Sequence, residues 1–209
     1  MVEEANLILL LVPIHKKQII MKIFQTLFLF LLLNTFFVSA QTAELNVDNS
    51  TLKWTGQKIT TESHWGSLKF KTGSVVFSDG IIKSGKFIVD MTTLNVEDLQ
   101  GRSKARLEGH LKSDDFFSIE SFNEASLEIN SSSKNGDGLA VSGVLTIKGI
   151  ASNVEFEMTR NEADNTWFSK LTFDRAKHNV RFRSGSFFEN LGDKLILDDI
   201  DLEATLSFN

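Results

Sequence analysis

The chain of 209 residues contains no cysteine and no tyrosine, and its only proline is Pro13. Without cysteine it cannot form disulfide bonds, zinc–thiolate sites or a thiol nucleophile. Without proline beyond position 13, no later β-strand contains a residue that cannot donate to the hydrogen-bond ladder. The lack of tyrosine leaves 18 phenylalanines and three tryptophans as the aromatic side chains, a set with no phenolic hydroxyl that suits a dry interior.

A surplus of basic residues is also missing. Residues 41–209 contain 19 Lys and Arg side chains against 25 Asp and Glu, a formal charge of −6. A polypeptide this acidic has no general attraction to nucleic acid or to anionic lipid surfaces. We therefore expect no nucleic-acid partner.

The first 40 residues have the pattern of a secretory signal. A short basic start at residues 21–23 is followed by an apolar run from Phe24 to Val38 and by small residues before Gln41. These are the parts of a signal peptide, with translation expected to begin at Met21 and cleavage expected after Ala40. The run is short for a membrane span of about 20 residues. We expect a periplasmic or secreted protein with no permanent membrane span after cleavage, and residues 1–20 as upstream sequence.

In residues 41–209 apolar and polar side chains mostly alternate, which indicates half-buried β-strands. The clearest examples are the segments 139–147 and 196–208, and shorter examples include Val180–Phe182. Turn-forming Gly, Asn and Asp residues separate the segments, so we expect roughly nine or ten strands joined as antiparallel hairpins. Residues 97–112 break the pattern, because Leu99, Leu107 and Leu111 recur at near-helical intervals. They predict one short helix that ends at Ser113.

A single short helix cannot cover the apolar face of so many strands, so the sheet must close into a barrel or fold over as a sandwich. We favour the barrel, because a series of up-and-down hairpins closes most simply that way. The fold class expected is all-β, an extended antiparallel lipocalin-like β-barrel with one short helix over residues 41–209. Gly143 and Ala204 occupy inward positions, where small side chains would leave room for a cavity.

Four blocks of sequence resemble the YceI-like family of exported, lipocalin-like, polyisoprenoid-binding proteins. The blocks are Ser63-His64-Trp65-Gly66, the segment from Glu108 to Phe117, the segment from Leu145 to Ile150, and the segment from Gly185 to Asp193. Their order and spacing agree with the family from about Leu45 to the C-terminus. The resemblance implies a barrel whose elongated pocket takes an isoprenoid or another long-chain lipid. Trp65 and residues 106–109 depart from better-known relatives, which leaves the identity of the lipid open.

The expected inner wall consists of large apolar side chains on the inward faces of the strands. They are Trp54, Phe70, Phe87, Leu145, Ile147, Phe156, Phe173 and Phe182.

Three further residues are candidates for contact with a lipid headgroup. His64, near a strand start, could hydrogen-bond a headgroup at the pocket mouth, although a partly buried histidine bound to a loop carbonyl is the commoner situation. Asp174 and Arg175 begin the one locally basic stretch, which runs to Arg183. Arg and Lys bind phosphate or carboxylate by charge-assisted hydrogen bonds, but we favour solvated charges on the outer face, because Arg181 and Arg183 alternate with the apolar Val180 and Phe182.

The sequence shows little evidence of catalytic or cofactor-binding residues. His64, His110 and His178 are the only histidines after residue 40, and no pair has metal-ligand spacing. No Gly-x-Ser-x-Gly elbow supplies a nucleophile. We therefore expect no metal, no cofactor and no enzymatic activity, and a homodimer is compatible with the sequence. The competing hypothesis is a structural or interaction module of the cell envelope whose barrel is packed solid.

Overall fold

The structure is a computed structural model that describes residues 40–209. The signal segment predicted for residues 1–40 therefore lies outside the described residues, apart from Ala40.

The described residues form nine strands, one α-helix and two 3₁₀ turns. The strands are β1 Gln41–Glu44, β2 Thr51–Lys58, β3 Ser63–Ser78, β4 Ile81–Val96, β5 Glu124–Asn135, β6 Gly138–Ile147, β7 Ile150–Asn161, β8 Thr166–Asp174 and β9 Ile196–Ser207. The helix α1 is Gly101–Lys112, and the 3₁₀ turns are Arg175–His178 and Gly192–Lys194. None of the helices in this part of the chain is long and apolar enough to cross a bilayer.

The strands close into an eight-stranded antiparallel barrel, as predicted. The ring runs β2, β9, β8, β7, β6, β5, β4, β3 and back to β2, with every neighbouring pair antiparallel. The long strand β3 accommodates two partners along one edge: β2 pairs with residues 63–68, and β1 pairs with residues 74–77. β1 thus extends the sheet at one end of the barrel without adding a ninth member to the ring.

The alternation that predicted the strands corresponds to burial. In β6, Leu139, Val141, Leu145 and Ile147 are buried and face the interior, while the residues between them are partly exposed. β7 repeats the pattern with Val154, Phe156 and Met158. Apolar side chains on one face of each strand thus form the inside of the barrel, since successive strand residues point to opposite faces.

The helix was predicted over residues 97–112 but begins only at Gly101. The first residues of the predicted segment are used otherwise, because the Glu97 amide donates to the Trp65 carbonyl at 3.0 Å. Asp98 accepts from the Trp65 amide at 3.1 Å. These contacts keep the chain extended alongside β3. The helix ends at Ser113, as expected.

The strand predicted at Val180–Phe182 is wrong, because these residues lie in the connection between β8 and β9. After β8 the chain makes a 3₁₀ turn, and Asn179 takes a left-handed conformation with φ 57°. The Val180 amide then donates back to the Arg175 carbonyl at 3.2 Å. Three alternating residues are too few to distinguish a strand from a loop with one buried side chain, which here is Val180.

The two ends of the barrel differ. At one end, termed the helix end, the connections 59–62, 97–123, 148–149 and 175–195 join the strands and include α1. The opposite end is closed by an aromatic cluster, in which the rings of Phe77 and Trp167 stack at 5.6 Å and Phe208 meets Phe77 edge-on at 6.1 Å. A ligand would therefore enter the interior of the barrel at the helix end.

Candidate functional site

The barrel encloses a cavity of about 520 Å³. All eight strands of the ring, α1 and the 175–195 connection contribute to its wall. Cavities of roughly 300–1,000 Å³ are typical of small-molecule sites. Most of the lining side chains are apolar, so the cavity suits a hydrocarbon chain better than a polar metabolite.

The eight side chains expected on the inner wall all line this cavity. They are Trp54, Phe70, Phe87, Leu145, Ile147, Phe156, Phe173 and Phe182. Seven lie on strands, and Phe182 reaches the cavity from the connection at the helix end. The strand predicted around Phe182 is absent, so its position results from the fold of that connection and not from alternation.

Other parts of the wall were not named as site residues, although their sequence patterns carried the signal. The even positions of β9 contribute Ile200, Leu202, Ala204 and Leu206, the same alternation that identified the strand. From α1, Leu107 and Leu111 face the cavity, in agreement with their helical spacing. Sequence alone could not show that the helix covers the end of the barrel, since this depends on tertiary packing.

The two small inward residues behave differently. Ala204 lines the cavity. Gly143 does not line the cavity. A Cβ placed there would clash with the Glu128 carbonyl oxygen and lie 3.3 Å from the Glu128 carbonyl carbon, so the backbone of β5 fills the space beside this glycine. The expectation that Gly143 leaves free volume is therefore wrong. It permits the close approach of β6 to β5, where the strand register shifts.

Polar groups gather where the cavity meets the helix end. The Nδ1 of His64 lies 2.7 Å from Asp98 Oδ2, and its Nε2 lies 3.7 Å from Glu62 Oε1. Burial raises the pKa of Asp98, but hydrogen bonds from His64 and the Trp65 amide outweigh it and hold that pKa below its ordinary value. Asp98 thus fixes the imidazole of His64 at the mouth of the cavity.

His110, on α1, occupies the same region. Its Nε2 lies 3.1 Å from Asp115 Oδ2, and its ring meets Phe182 edge-on at 4.4 Å and Phe116 at 4.9 Å. These contacts join the helix to residues 113–123 and to the 175–195 connection at this end of the barrel. His110 therefore combines a packing role with a position on the cavity wall.

The three predicted headgroup residues have different environments. His64 lines the cavity. Asp174 does not; its carboxylate accepts from the Ala176 amide at 2.8 Å and caps the 3₁₀ turn. Arg175 reaches the wall, but it is 1% exposed and donates to the carbonyls of Val180, Leu197 and Ile196. Its geometry is that of a structural residue that holds the 175–195 connection to β9.

A buried histidine pairs with a partly buried serine near the start of β7, where Ser152 Oγ lies 2.9 Å from His178 Nε2. The other ring nitrogen, Nδ1, contacts the Ile150 carbonyl at 2.9 Å, so it carries a proton and Nε2 accepts from the serine. Burial lowers the pKa of His178. A histidine fixed by a carbonyl and fully shielded from solvent lacks the carboxylate partner and the access of a hydrolase base.

Comparisons with known proteins agree with this architecture. The YceI-like domain model matches residues 44–208. A UPF0312 protein of Yersinia pestis is 26% identical over 129 residues, 61% of this chain and 65% of the relative's length. Protein YceI of Salmonella arizonae is 25% identical over the same share of each chain. The chain thus spans just under two thirds of these curated relatives.

Two solved structures share the fold. BcnA of Burkholderia cenocepacia superposes with a TM-score of 0.62 at 19% identity, covering 78% of this chain and 98% of BcnA. A polyisoprenoid binding domain from Saccharophagus degradans gives a TM-score of 0.51 at 14% identity, covering 80% and 97%. From the family match over residues 44–208 and the eight-stranded barrel, we conclude that this chain belongs to the YceI-like family.

Proposed function

We propose that the protein holds a long-chain apolar lipid, a polyisoprenoid or a similar molecule, inside its barrel and sequesters or carries it outside the cytoplasm. The observation that supports this most directly is the cavity of about 520 Å³ with its largely apolar wall. The structure from Saccharophagus degradans is described as a polyisoprenoid binding domain, which is consistent with the proposal.

The physical driving force would be burial of hydrocarbon. Each buried CH₂ group contributes roughly 0.8 kcal/mol, so ten such groups would supply about 8 kcal/mol before the costs of ordering the chain and of association. Discrimination per methylene is small, on the order of 1–3 kcal/mol. We therefore expect a pocket that accepts related tails of different structure.

The alternative is a barrel packed solid that serves as a structural or interaction module. The cavity favours the carrier, because a module has no need of an apolar void, and empty space in a core costs stability. The end closed by Phe77, Trp167 and Phe208 has the aromatic packing that the module hypothesis expects throughout the barrel, whereas the interior beyond it contains the cavity.

Export and the absence of catalysis belong to the same proposal. The signal pattern that ends at Ala40 would direct residues 41–209 to the periplasm or the medium, where a carrier could act as a monomer or a homodimer. The Ser152–His178 pair has the geometry of a structural hydrogen bond. A non-enzymatic role is consistent with both features.

The experiment that tests this proposal is displacement of a fluorescent long-chain lipid from the purified, delipidated protein. Phe156 lies on the cavity wall and is 8% exposed, whereas Phe168 lies on the adjacent strand β8 and is 44% exposed. Phe156→Asp should weaken uptake by about tenfold or more, because a carboxylate in an apolar site is costly to bury. Phe168→Asp, which introduces the same charge on the outer face, should leave uptake unchanged.

A second variant keeps the test meaningful if Phe156→Asp does not fold. Ala204→Phe places an apolar ring in the cavity, so it should reduce the length of tail that the protein accepts without adding charge. Uptake that is equal in the wild type, Phe156→Asp and Ala204→Phe would show that lipid binds elsewhere. Absence of any uptake by the folded wild type would reject the carrier.

A further inference from the structure

The charges on the cavity wall are not balanced. Of the 38 lining residues, four are Lys or Arg and one is an acidic residue, Glu62. Lys58 pairs with Glu62 at 2.6 Å. Arg175 is bound by three carbonyls and lies 3.2 Å from Asp198 Oδ1. The other two cations on the wall are Arg106 and Arg183.

Neither of these guanidinium groups has an anionic partner within residues 40–209. No hydrogen bond or ion pair in this part of the chain involves the side chain of Arg106. The side chain of Arg183 makes one cation–π contact, 5.0 Å from the Phe182 ring. Asp98 and Asp115, the other carboxylates in contact with wall residues at this end, are bound to His64 and His110.

Each of the two arginines lies close in sequence to one residue of the contact between His110 and Phe182. Arg106 precedes His110 by four residues on α1, about one helical turn, so both project from the same face. Arg183 follows Phe182, whose ring lies 4.4 Å from that of His110. Both arginines line the cavity, so a ligand that extends out of it at this point would pass two guanidinium groups.

We propose that the mouth of the cavity, between Arg106 and Arg183, is a subsite for an anionic headgroup, a phosphate or a carboxylate, at the end of the apolar tail. This inference rests on the proposed function, since it assigns the polar end of the same ligand. A guanidinium presents donors in a planar fork that matches carboxylate and phosphate oxygens. His64, oriented by Asp98, adds a ring nitrogen at the same mouth.

The subsite differs from the one expected from the sequence. Asp174 lies outside the wall, and the donors of Arg175 are engaged by carbonyls. The arginines of the proposed subsite are instead Arg106 on α1 and Arg183 in the 175–195 connection. These two elements are far apart in sequence and meet where His110 packs on Phe182.

The test uses three ligands with one tail: geranylgeraniol, geranylgeranyl monophosphate and geranylgeranoic acid. Their affinities for the delipidated full chain are measured by displacement of a fluorescent lipid. The wild type should bind both acids more tightly than the alcohol, by about tenfold. In the double variant Arg106→Gln/Arg183→Gln this preference should disappear, because the affinities for the two acids fall to that for the alcohol. Inorganic phosphate alone should not displace the tail, because the tail supplies most of the affinity.

The chain offers a control matched in charge. Arg102 lies on α1 and Arg181 lies beside Arg183, and neither lines the cavity. Arg102→Gln/Arg181→Gln removes the same two charges and should retain the preference for the acids. An equal loss in both double variants would overturn the proposal in favour of a general effect of net charge.

The failures of the two proposals are distinguishable. If the wild type binds the alcohol as tightly as the acids, the headgroup subsite is rejected and the lipid carrier stands. If none of the three ligands displaces the probe, the carrier itself is rejected. Displacement of the probe by inorganic phosphate alone would show that the arginines bind free phosphate. It would overturn the proposal that they bind a lipid headgroup.

Discussion

Arg175 and Asp198 form an ion pair in the barrel wall, with Arg175 Nη2 3.2 Å from Asp198 Oδ1. That oxygen is buried and accepts no hydrogen bond among residues 40–209, so the guanidinium supplies its compensating charge. The other oxygen, Oδ2, accepts from the hydroxyls of Ser184 and Ser186 at 2.8 and 2.7 Å. This network attaches the irregular 175–195 connection to β9.

Replacement of Arg175 should therefore act on stability. Arg175→Lys keeps the charge but cannot reach three carbonyls and a carboxylate at once, so we expect the free energy of unfolding to fall by about 2 kcal/mol or more. Urea unfolding followed by tryptophan fluorescence measures the change. Arg181→Lys, at an exposed position in the same connection, should change it little. Equal effects of the two substitutions would contradict the structural role of Arg175.

Gly143 offers a test of the close approach between β5 and β6. A methyl group there would clash with the Glu128 carbonyl oxygen, so the backbone must shift, and Gly143→Ala should lower the free energy of unfolding by about 1–3 kcal/mol. The control is Gly109→Ala, because a Cβ on Gly109 in α1 meets no atom within 4 Å. That change should stabilise the protein by about 0.5–1 kcal/mol. A neutral or stabilising Gly143→Ala would show that the strands are not so tightly apposed.

The pair formed by His64 and Asp98 predicts a dependence on acid pH. Because the pKa of Asp98 is held below its ordinary value of 3.8, its carboxylate stabilises the fold above that pH, and the contribution is lost as the pH falls through the lowered pKa. Asp98→Asn should therefore be less stable than the wild type near neutral pH, by about 1 kcal/mol. The difference should shrink below pH 3.8 in unfolding curves taken across that range. The exposed Asp137→Asn should give no such difference, and a constant gap at every pH would refute the role of the Asp98 charge.

His178 predicts a second, milder pH effect. Burial lowers its pKa from the ordinary value of 6.5. The unfolded chain therefore takes up a proton below that pH before the folded chain does, and stability falls as the pH drops from 6.5 towards the lowered pKa. An NMR titration of the imidazole should show His178 neutral at pH 6.5. A midpoint at or above 6.5 would contradict the buried, neutral ring.

Much of the fold could be predicted because local pattern and tertiary structure agree. In β6 and β9, alternation over nine or more residues identified both the strand and its inward face, including the wall residues Leu145 and Ile147 of β6. Alternation failed at Val180–Phe182, where three residues carry no reliable period. It also misjudged Gly143, because a small inward residue leaves a void only if the neighbouring strand does not approach it.

The polar end of the site could not be predicted in the same way. Arg106 and Arg183 are 77 positions apart, and nothing in either segment indicates that they face one cavity mouth. Arg175 looked like a free cation in sequence, but the turn after β8 buries it against backbone carbonyls. Such partners depend on how loops pack at the end of the barrel, a long-range outcome that periodicity does not encode.

Native mass spectrometry of the protein, purified without detergent or added lipid, tests the central claim most directly. If the protein carries a lipid, the spectrum should show a species heavier than the bare chain. Organic extraction should remove the extra mass, and a long-chain apolar lipid should be recovered in the extract. The carrier hypothesis also predicts that the emptied protein takes up an added polyisoprenoid. A spectrum of bare polypeptide alone, together with no uptake of the added lipid by the folded protein, would contradict it.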